Sequence, residues 1–313
     1  MKLDFSRPLY LLAPLAGYTD LPFRSVVKRF GADLTISEMI SSNALVYEND
    51  KTLHMLEKSP LEDPYFVQIA GSDPEVIKKA VEKLNEKEGI DGIDLNAGCP
   101  VPKVVRQGAG SGLLRDLDRL ARIVETIKKH SNKSYTSVKI RIGFHEDDVE
   151  RIVKTIENAG ADFITVHGRT RSGGFKAPVD YEAIKRAKET VHIPVIANGD
   201  IDSYQKAQWV LEYTKADGVM IGRGAIGKPW IFYQLKHKTQ IDEALRRKIV
   251  LEHFRQMIAF YGEYGVVLFR KHLHTYSKGY AGATAFRQRI NEVVDKDEME
   301  RLIVEFFSTK RAA

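Results

Sequence analysis

The chain has 313 residues, 43% hydrophobic and 29% charged, with a net charge of +6 and a single cysteine. At about 150 residues per domain, this is the size of two domains or of one α/β barrel with an appendage. Apolar residues are plentiful and evenly spread, which excludes a disordered chain, and no apolar run reaches the ~18–20 residues of a membrane helix.

Residues 1–8 mix charges with apolar side chains and have no h-region, so no secretory signal is expected. Eight short apolar runs then follow, at 10–15, 34–39, 65–70, 92–96, 137–142, 163–167, 193–198 and 218–222. Each is apolar on both faces, as buried parallel strands are. Amphipathic segments separate them, most clearly 75–87 and 116–130. Val76, Ile77, Ala80, Val81 and Leu84 mark one face of the first. Asp73-Pro74 and Asp116 are expected helix starts.

A small repeat keeps the same period. Gly31-Ala32-Asp33 and Gly160-Ala161-Asp162 precede the second and sixth runs, with looser copies at Gly89-Ile90-Asp91 and Lys215-Ala216-Asp217. Each is expected to end a helix and turn into a strand. Eight strand–helix units over roughly 235 residues are the dimensions of a (β/α)₈ TIM barrel. A doubly wound sheet has fewer strands, and its Gly-rich loop follows the first strand rather than the last. Beyond residue 231 the spacing is helical, at 241–261, 283–294 and 296–307. The expected architecture is α/β: a barrel over 1–238, then a small all-α domain over 239–313.

In such a barrel the chemistry sits at the C-terminal strand ends. Polar groups collect there in every unit, including Gln68, Asn96, Cys99, Lys139, Arg141, His167, Arg169, Asn198, Asp200 and Arg223. Gly222-Arg223-Gly224-Ala225-Ile226-Gly227 fits G-x-G-x-x-G, with Asp242 twenty residues on. The dinucleotide-fold reading fails because the motif follows the eighth strand and Asp242 opens a helical stretch. Barrel loops after strands seven and eight bind phosphate through backbone N–H groups, so this loop and Asn198-Gly199-Asp200 point to a cofactor with one phosphate. Lys139, inside a strand, needs an anionic partner if it faces the lumen, and a reduced flavin would supply one; otherwise it snorkels at a helix interface. Cys99 is a small buried hydrophobe in the ordinary case. At a barrel mouth it is a candidate nucleophile or proton donor. One thiol forms neither a disulfide framework nor a cysteine-based zinc site, and it suits a reducing cytoplasm. No His/Asp/Glu cluster has metal spacing, and no carboxylate pair suggests glycosidase chemistry.

Three windows are free of acids: 98–115, 163–179 and 266–291. The last holds Arg270, Lys271, Lys278, Arg287 and Arg289. Brought together, they would face a polyanion; singly, such windows are usually solvated faces.

The stretches Ala13-Pro14-Leu15-Ala16-Gly17-Tyr18-Thr19-Asp20, Asp94-Leu95-Asn96-Ala97-Gly98-Cys99-Pro100, Val138-Lys139-Ile140-Arg141 and Gly222-Arg223-Gly224-Ala225 resemble those of the tRNA-dihydrouridine synthases in order and spacing. The Asn-x-Gly-Cys-Pro element is the most specific part, and Arg270-Lys271-His272 with Tyr276 is similar to the family's helical-domain motif. The resemblance implies an FMN enzyme that reduces uridine in tRNA to 5,6-dihydrouridine, with NAD(P)H as electron donor. It implies that Pro14, Leu15, Ala16, Gln68, Lys139, His167, Asn198, Gly199, Asp200, Gly222 and Arg223 hold FMN. Cys99 would protonate C5 of the uracil. Asn96, Arg141, Arg169, Arg171, Arg270, Lys271, Arg287 and Arg289 would meet the substrate. Two alternatives are a barrel flavoenzyme acting on a small pyrimidine or enone, and a non-catalytic RNA-binding protein.

Overall fold

The computed structural model describes residues 2–47 and 50–308. Nine parallel strands form the wall: β1 (Leu9–Leu12), β2 (Thr35–Ile36), β3 (Ile40–Ser41), β4 (Tyr65–Ala70), β5 (Gly92–Ala97), β6 (Tyr135–Arg141), β7 (Phe163–His167), β8 (Val195–Asn198) and β9 (Gly218–Ile221). The sheet order runs β1-β9-β8-β7-β6-β5-β4-β2, and β3 also pairs with β4. A Leu11–Leu34 bridge closes the ring, with Leu12 N–H donating to Leu34 O at 3.1 Å. β2 and β3 are two pieces of one barrel strand. The break falls at Ser37, whose hydroxyl replaces a backbone carbonyl and accepts from Gln68 N–H at 2.9 Å. The barrel is therefore eight-stranded, as expected. The first run ends three residues earlier than its apolar content suggested, because the chain leaves the ladder at Ala13-Pro14 and turns over the barrel mouth.

Side chains alternate along each strand between the lumen and the helix layer. The lower lumen is filled by Leu9, Leu11, Leu34, Ile36, Phe66, Phe163, Ile196 and Met220, all buried. Two residues further along their strands, the filling turns polar: Gln68, Asp94, Ser137 and Thr165 are buried there. That change of polarity positions the site. Outside, helices such as Pro74–Asn85 and Leu117–His130 cover the wall, capped by Asp73 and Asp116 as the sequence predicts.

The four-fold repeat has a second use. In each copy the first residue has positive φ, Gly31 (94°), Gly89 (75°), Gly160 (90°) and Lys215 (56°), turning the chain out of its helix. The aspartate then clamps the preceding strand. Asp33 accepts from Tyr10 N–H, Asp91 from Tyr65, Asp162 from Thr136 and Asp217 from Val195, at 2.9, 2.9, 2.7 and 2.7 Å. The aspartate's own N–H returns a bond to the carbonyl of that same residue, at 2.8 to 2.9 Å.

Past Ile231–His237, the chain forms helices Glu243–Tyr261, Tyr264–Tyr276, Ala283–Ile290 and Lys296–Phe306. The second was not predicted. Its buried face (Val266, Phe269, His272, Leu273, Tyr276) has helical spacing, but basic residues interrupt it. These helices build their own core around Phe254, Met257, Phe269, Ile290 and Ile303, which also takes in Val26 and Trp230 from the barrel side. The helix Leu21–Arg29 thus lies between the two units, with Phe23 stacked on His272 at 5.6 Å. No helix among the described residues is long and apolar enough to cross a membrane, and no group of His, Cys, Asp or Glu among them could hold a metal ion.

Replacing a clamp aspartate leaves a strand N–H without its partner. We expect Asp91→Ala and Asp217→Ala each to lower stability by about 1–3 kcal/mol in urea unfolding. The two sites share no partner, so their effects should add in the double variant.

Candidate active site

The polar upper lumen opens into a cavity of about 520 Å³ at the C-terminal strand ends. Pro14, Leu15, Ala16, Gln68, Asn96, Cys99, Lys139, Arg141, His167, Arg169, Asn198, Gly199, Asp200, Gly222 and Arg223 all line it. These are the residues singled out in the sequence, contributed by seven different loops or strands. Alternation places Lys139 and Arg141 on one face of β6, toward the lumen.

Several of these side chains are held by the protein itself. Lys139 Nζ donates to Asn198 Oδ1 at 3.0 Å, and Asn198 Nδ2 donates to Met220 O at 2.7 Å. Burial and neighbouring Arg141 pull Lys139 down to about 8. Arg141 is 2% exposed. It donates to Gly98 O at 3.0 Å, Thr170 O at 2.9 Å and Gly174 O at 3.1 Å, so it ties the Cys99 loop to the loop after β7. Arg169 Nε donates to Ala177 O at 2.6 Å, and its guanidinium pairs with Asp200. Arg223 reaches the other side of the same carboxylate at 2.5 Å. These hydrogen bonds hold Asp200 below the usual carboxylate range, Arg169 first. His167 is pushed well below its normal range by burial and then by Lys139, Arg141 and the two arginines. It is therefore neutral. Arg169 Nη1 lies 3.3 Å from its Nε2, which leaves the ring proton on Nδ1.

The loops after β8 and β9 meet backbone to backbone. A Cβ on Gly224 would lie 2.3 Å from Ile201 O, so only glycine allows this approach. The Cys99 loop is fixed at both ends of its peptide unit. Asn96 Oδ1 accepts from Gly98 N–H at 3.1 Å and Cys99 N–H at 2.8 Å, while Ser111 donates its N–H and hydroxyl to Cys99 O at 3.0 and 2.9 Å.

Five singled-out residues lie off the cavity. Arg171 sits over the Phe144 ring at 5.3 Å and Arg115 over the same ring at 4.7 Å, which joins two of the acid-free windows. Lys271 reaches over Tyr18 at 5.4 Å, beside the loop that lines the cavity. Arg270 donates to Val293 O at 2.7 Å and Arg287 to Ser277 Oγ at 2.9 Å, so both tie helical segments together; Arg289 is exposed. Two participants were missed. Phe175 is 54% exposed at the rim and covers both Arg141 (5.4 Å) and Arg223 (5.0 Å). Its signal was an aromatic after Gly173-Gly174 inside a basic window. Asp94 is buried beneath the cavity, where burial pushes it up to about 6. Its signal was an acid amid an apolar strand, in step with Asn96.

Fold and cavity together define a barrel enzyme that sets a thiol beside a cluster of cations, two of them buried. The chain belongs to the dihydrouridine synthase family of oxidoreductases, whose family model matches residues 11–311. A probable tRNA-dihydrouridine synthase of Helicobacter pylori is 51% identical over 98% of this chain and 94% of its own length. The tRNA-dihydrouridine synthase B of Pasteurella multocida is 40% identical over 95% and 92%. Among solved structures, a morphinone reductase variant in complex with tetrahydroNAD superposes with a TM-score of 0.54 at 12% identity, covering 75% of this chain and 88% of its own. This last likeness is one of barrel fold.

In the ligand-free protein, Lys139 carries a burial cost while it is charged. Its folded-state pKa is depressed, so that cost is full below pH 8 and fades toward the unfolded value near 10.5. Lys139→Met should therefore raise the urea midpoint at pH 7, and the gain should shrink steadily above pH 8.

Proposed function

We propose that this chain reduces the C5=C6 bond of uridine in tRNA to 5,6-dihydrouridine, with FMN as resident cofactor and NAD(P)H as electron donor. The observation that carries the reading is the convergence of Cys99, Lys139 and Arg223, from three separate strand ends, on one cavity. The donor set fits FMN. Lys139 lines the cavity where it would meet an anionic ring, and the two glycine loops meet beside Arg223 for a phosphate. Pro14, Leu15, Ala16, Gln68, Lys139, His167, Asn198, Gly199, Asp200, Gly222 and Arg223 would hold the cofactor.

When bound, FMN supplies the hydride that adds to C6 of the uracil. Cys99 gives its proton to C5 and regains one from solvent, so one NAD(P)H and one proton are consumed per uridine. Asn96 and Ser111 fix the Cys99 backbone, while Arg141 and Arg169 hold the surrounding loops. A stacked base cannot reach the floor of this cavity, so the uridine must be extruded at a cost of a few kcal/mol. In this reading residues 239–313 form the tRNA-binding unit beside a catalytic barrel of 1–238. Lys271, Arg289 and their neighbours offset the cost through phosphate contacts, and the enzyme works in the cytoplasm.

Cys99→Ala should retain bound flavin and its reduction by NAD(P)H within about threefold, yet lose uridine reduction by about 10²-fold or more. Equal loss in both half-reactions would count against the proton-donor role; stopped-flow absorbance and nucleoside mass spectrometry separate the two. Arg287→Ala with Arg289→Ala should weaken tRNA binding and make the plot of log affinity against log salt shallower by about 1–2. An unchanged slope would place the tRNA elsewhere.

A further inference from the structure

The peptide unit of Cys99 is held by Asn96, and Asn96 is itself held from below. Asn96 Nδ2 donates to Gln68 Oε1 at 2.8 Å, and Gln68 Nε2 donates to Asp94 Oδ2 at 2.7 Å. The other Asp94 oxygen accepts from Ser137 Oγ at 2.6 Å. These four side chains are buried in the barrel, on the lumen faces of β4, β5 and β6.

The polarity of this chain of bonds is decided at its lower end. A primary amide can present either its oxygen or its NH₂ in a given direction, because the two ends are nearly the same size. A carboxylate only accepts. Asp94 therefore obliges Gln68 to turn its NH₂ downward and its oxygen toward Asn96. That oxygen obliges Asn96 to turn its NH₂ inward, which leaves Oδ1 facing the N–H groups of Gly98 and Cys99. A flip of Gln68 would set like groups against each other at two contacts and a flip of Asn96 at three, in a buried place where unpaired polar groups cost about 1–3 kcal/mol each.

We infer that Asp94 is a positioning residue: by fixing the orientation of Gln68 and Asn96, it holds the Cys99 loop in the geometry from which the thiol acts. Asp94 does not line the cavity. Its part is exerted through two amides, and the inference rests on the reading of Cys99 as proton donor. Ser137 completes the anchor by occupying the carboxylate oxygen that Gln68 leaves open.

Two replacements separate the orienting bond from the charge. In Asp94→Asn an amide oxygen can still accept from Gln68 while its NH₂ faces the Ser137 hydroxyl, so the chain of bonds persists without the charge. In Asp94→Ala the acceptor is gone. Cys99 is the only thiol, so iodoacetamide labelling of flavin-loaded protein, followed by mass spectrometry, reports on its loop independently of turnover. Asp94→Ala is expected to change the labelling rate at least fivefold and to slow uridine reduction at least tenfold. Reduction of the bound flavin by NADPH should slow less than uridine reduction does, since Gln68 is only one of the residues around the cofactor. Asp94→Asn should stay within threefold of the unaltered enzyme on all three measures. Labelling and uridine reduction both unaltered in Asp94→Ala would overturn the inference, as would an Asn variant as impaired as the Ala variant, or an equal fall in flavin reduction. If Asp94→Ala does not accumulate as folded protein, Ser137→Ala removes one of the two anchoring donors with little loss of volume. It should shift labelling at least twofold, and no shift would overturn the inference. An unaltered enzyme that reduces no uridine would sink the functional reading instead, and the labelling comparison would then decide the positioning role alone.

Discussion

The site depends on a single electrostatic constraint: Arg141 and Arg169 are taken out of water, with Lys139 half-buried beside them, at the end of one barrel, and Asp200 is the carboxylate that pairs with Arg169 there. Like charges so placed repel, and each must replace its lost hydration. The protein answers with directed acceptors. Arg141 is met by three backbone carbonyls, Lys139 by an amide oxygen, and Arg169 by a carbonyl and Asp200. The strand tips and glycine loops deliver those acceptors. Even so the cavity keeps an excess of positive charge, which adds to burial in holding a histidine neutral in its midst. An anion is the natural complement to such a place.

Much of this was legible from spacing. Eight apolar runs, a period marked by Gly-x-Asp, and polar residues after every run were enough to define the barrel and its working end. Fifteen of the residues singled out line the cavity. What the pattern conveyed poorly was the difference between touching a ligand and holding a neighbour. Arg141, Arg169, Arg270 and Asn198 carry groups typical of ligand contacts, yet in the fold they bond to backbone or to other side chains. A one-dimensional string contains no record of which carbonyl lies opposite. The helix Tyr264–Tyr276 escaped for a related reason, since its buried His272 reads as polar although it packs among rings of Tyr18, Phe23, His253 and Phe269.

The helical unit is not a free appendage. Its core continues through Val26 and Trp230 into the barrel's outer layer. Tyr261 donates to Asp20 at 3.2 Å, and Asp20 caps the helix that follows the cavity-lining residues 13–16. Lys271 reaches Tyr18 in the same loop. A polyanion settling on the helices would therefore press on one wall of the cavity through packed, hydrogen-bonded neighbours.

The aspartate clamps divide the ring in an unadvertised way. They join β1 to β2, β4 to β5, β6 to β7 and β8 to β9, across 22 to 26 residues each time. At its closed end the barrel is thus four two-stranded quarters, each locked by contacts local in the chain. Nearer the mouth some side-chain bonds cross between them: Ser137 to Asp94 and Lys139 to Asn198 stitch one quarter to the next. The seams between those quarters are where the side chains of the reactive end cross.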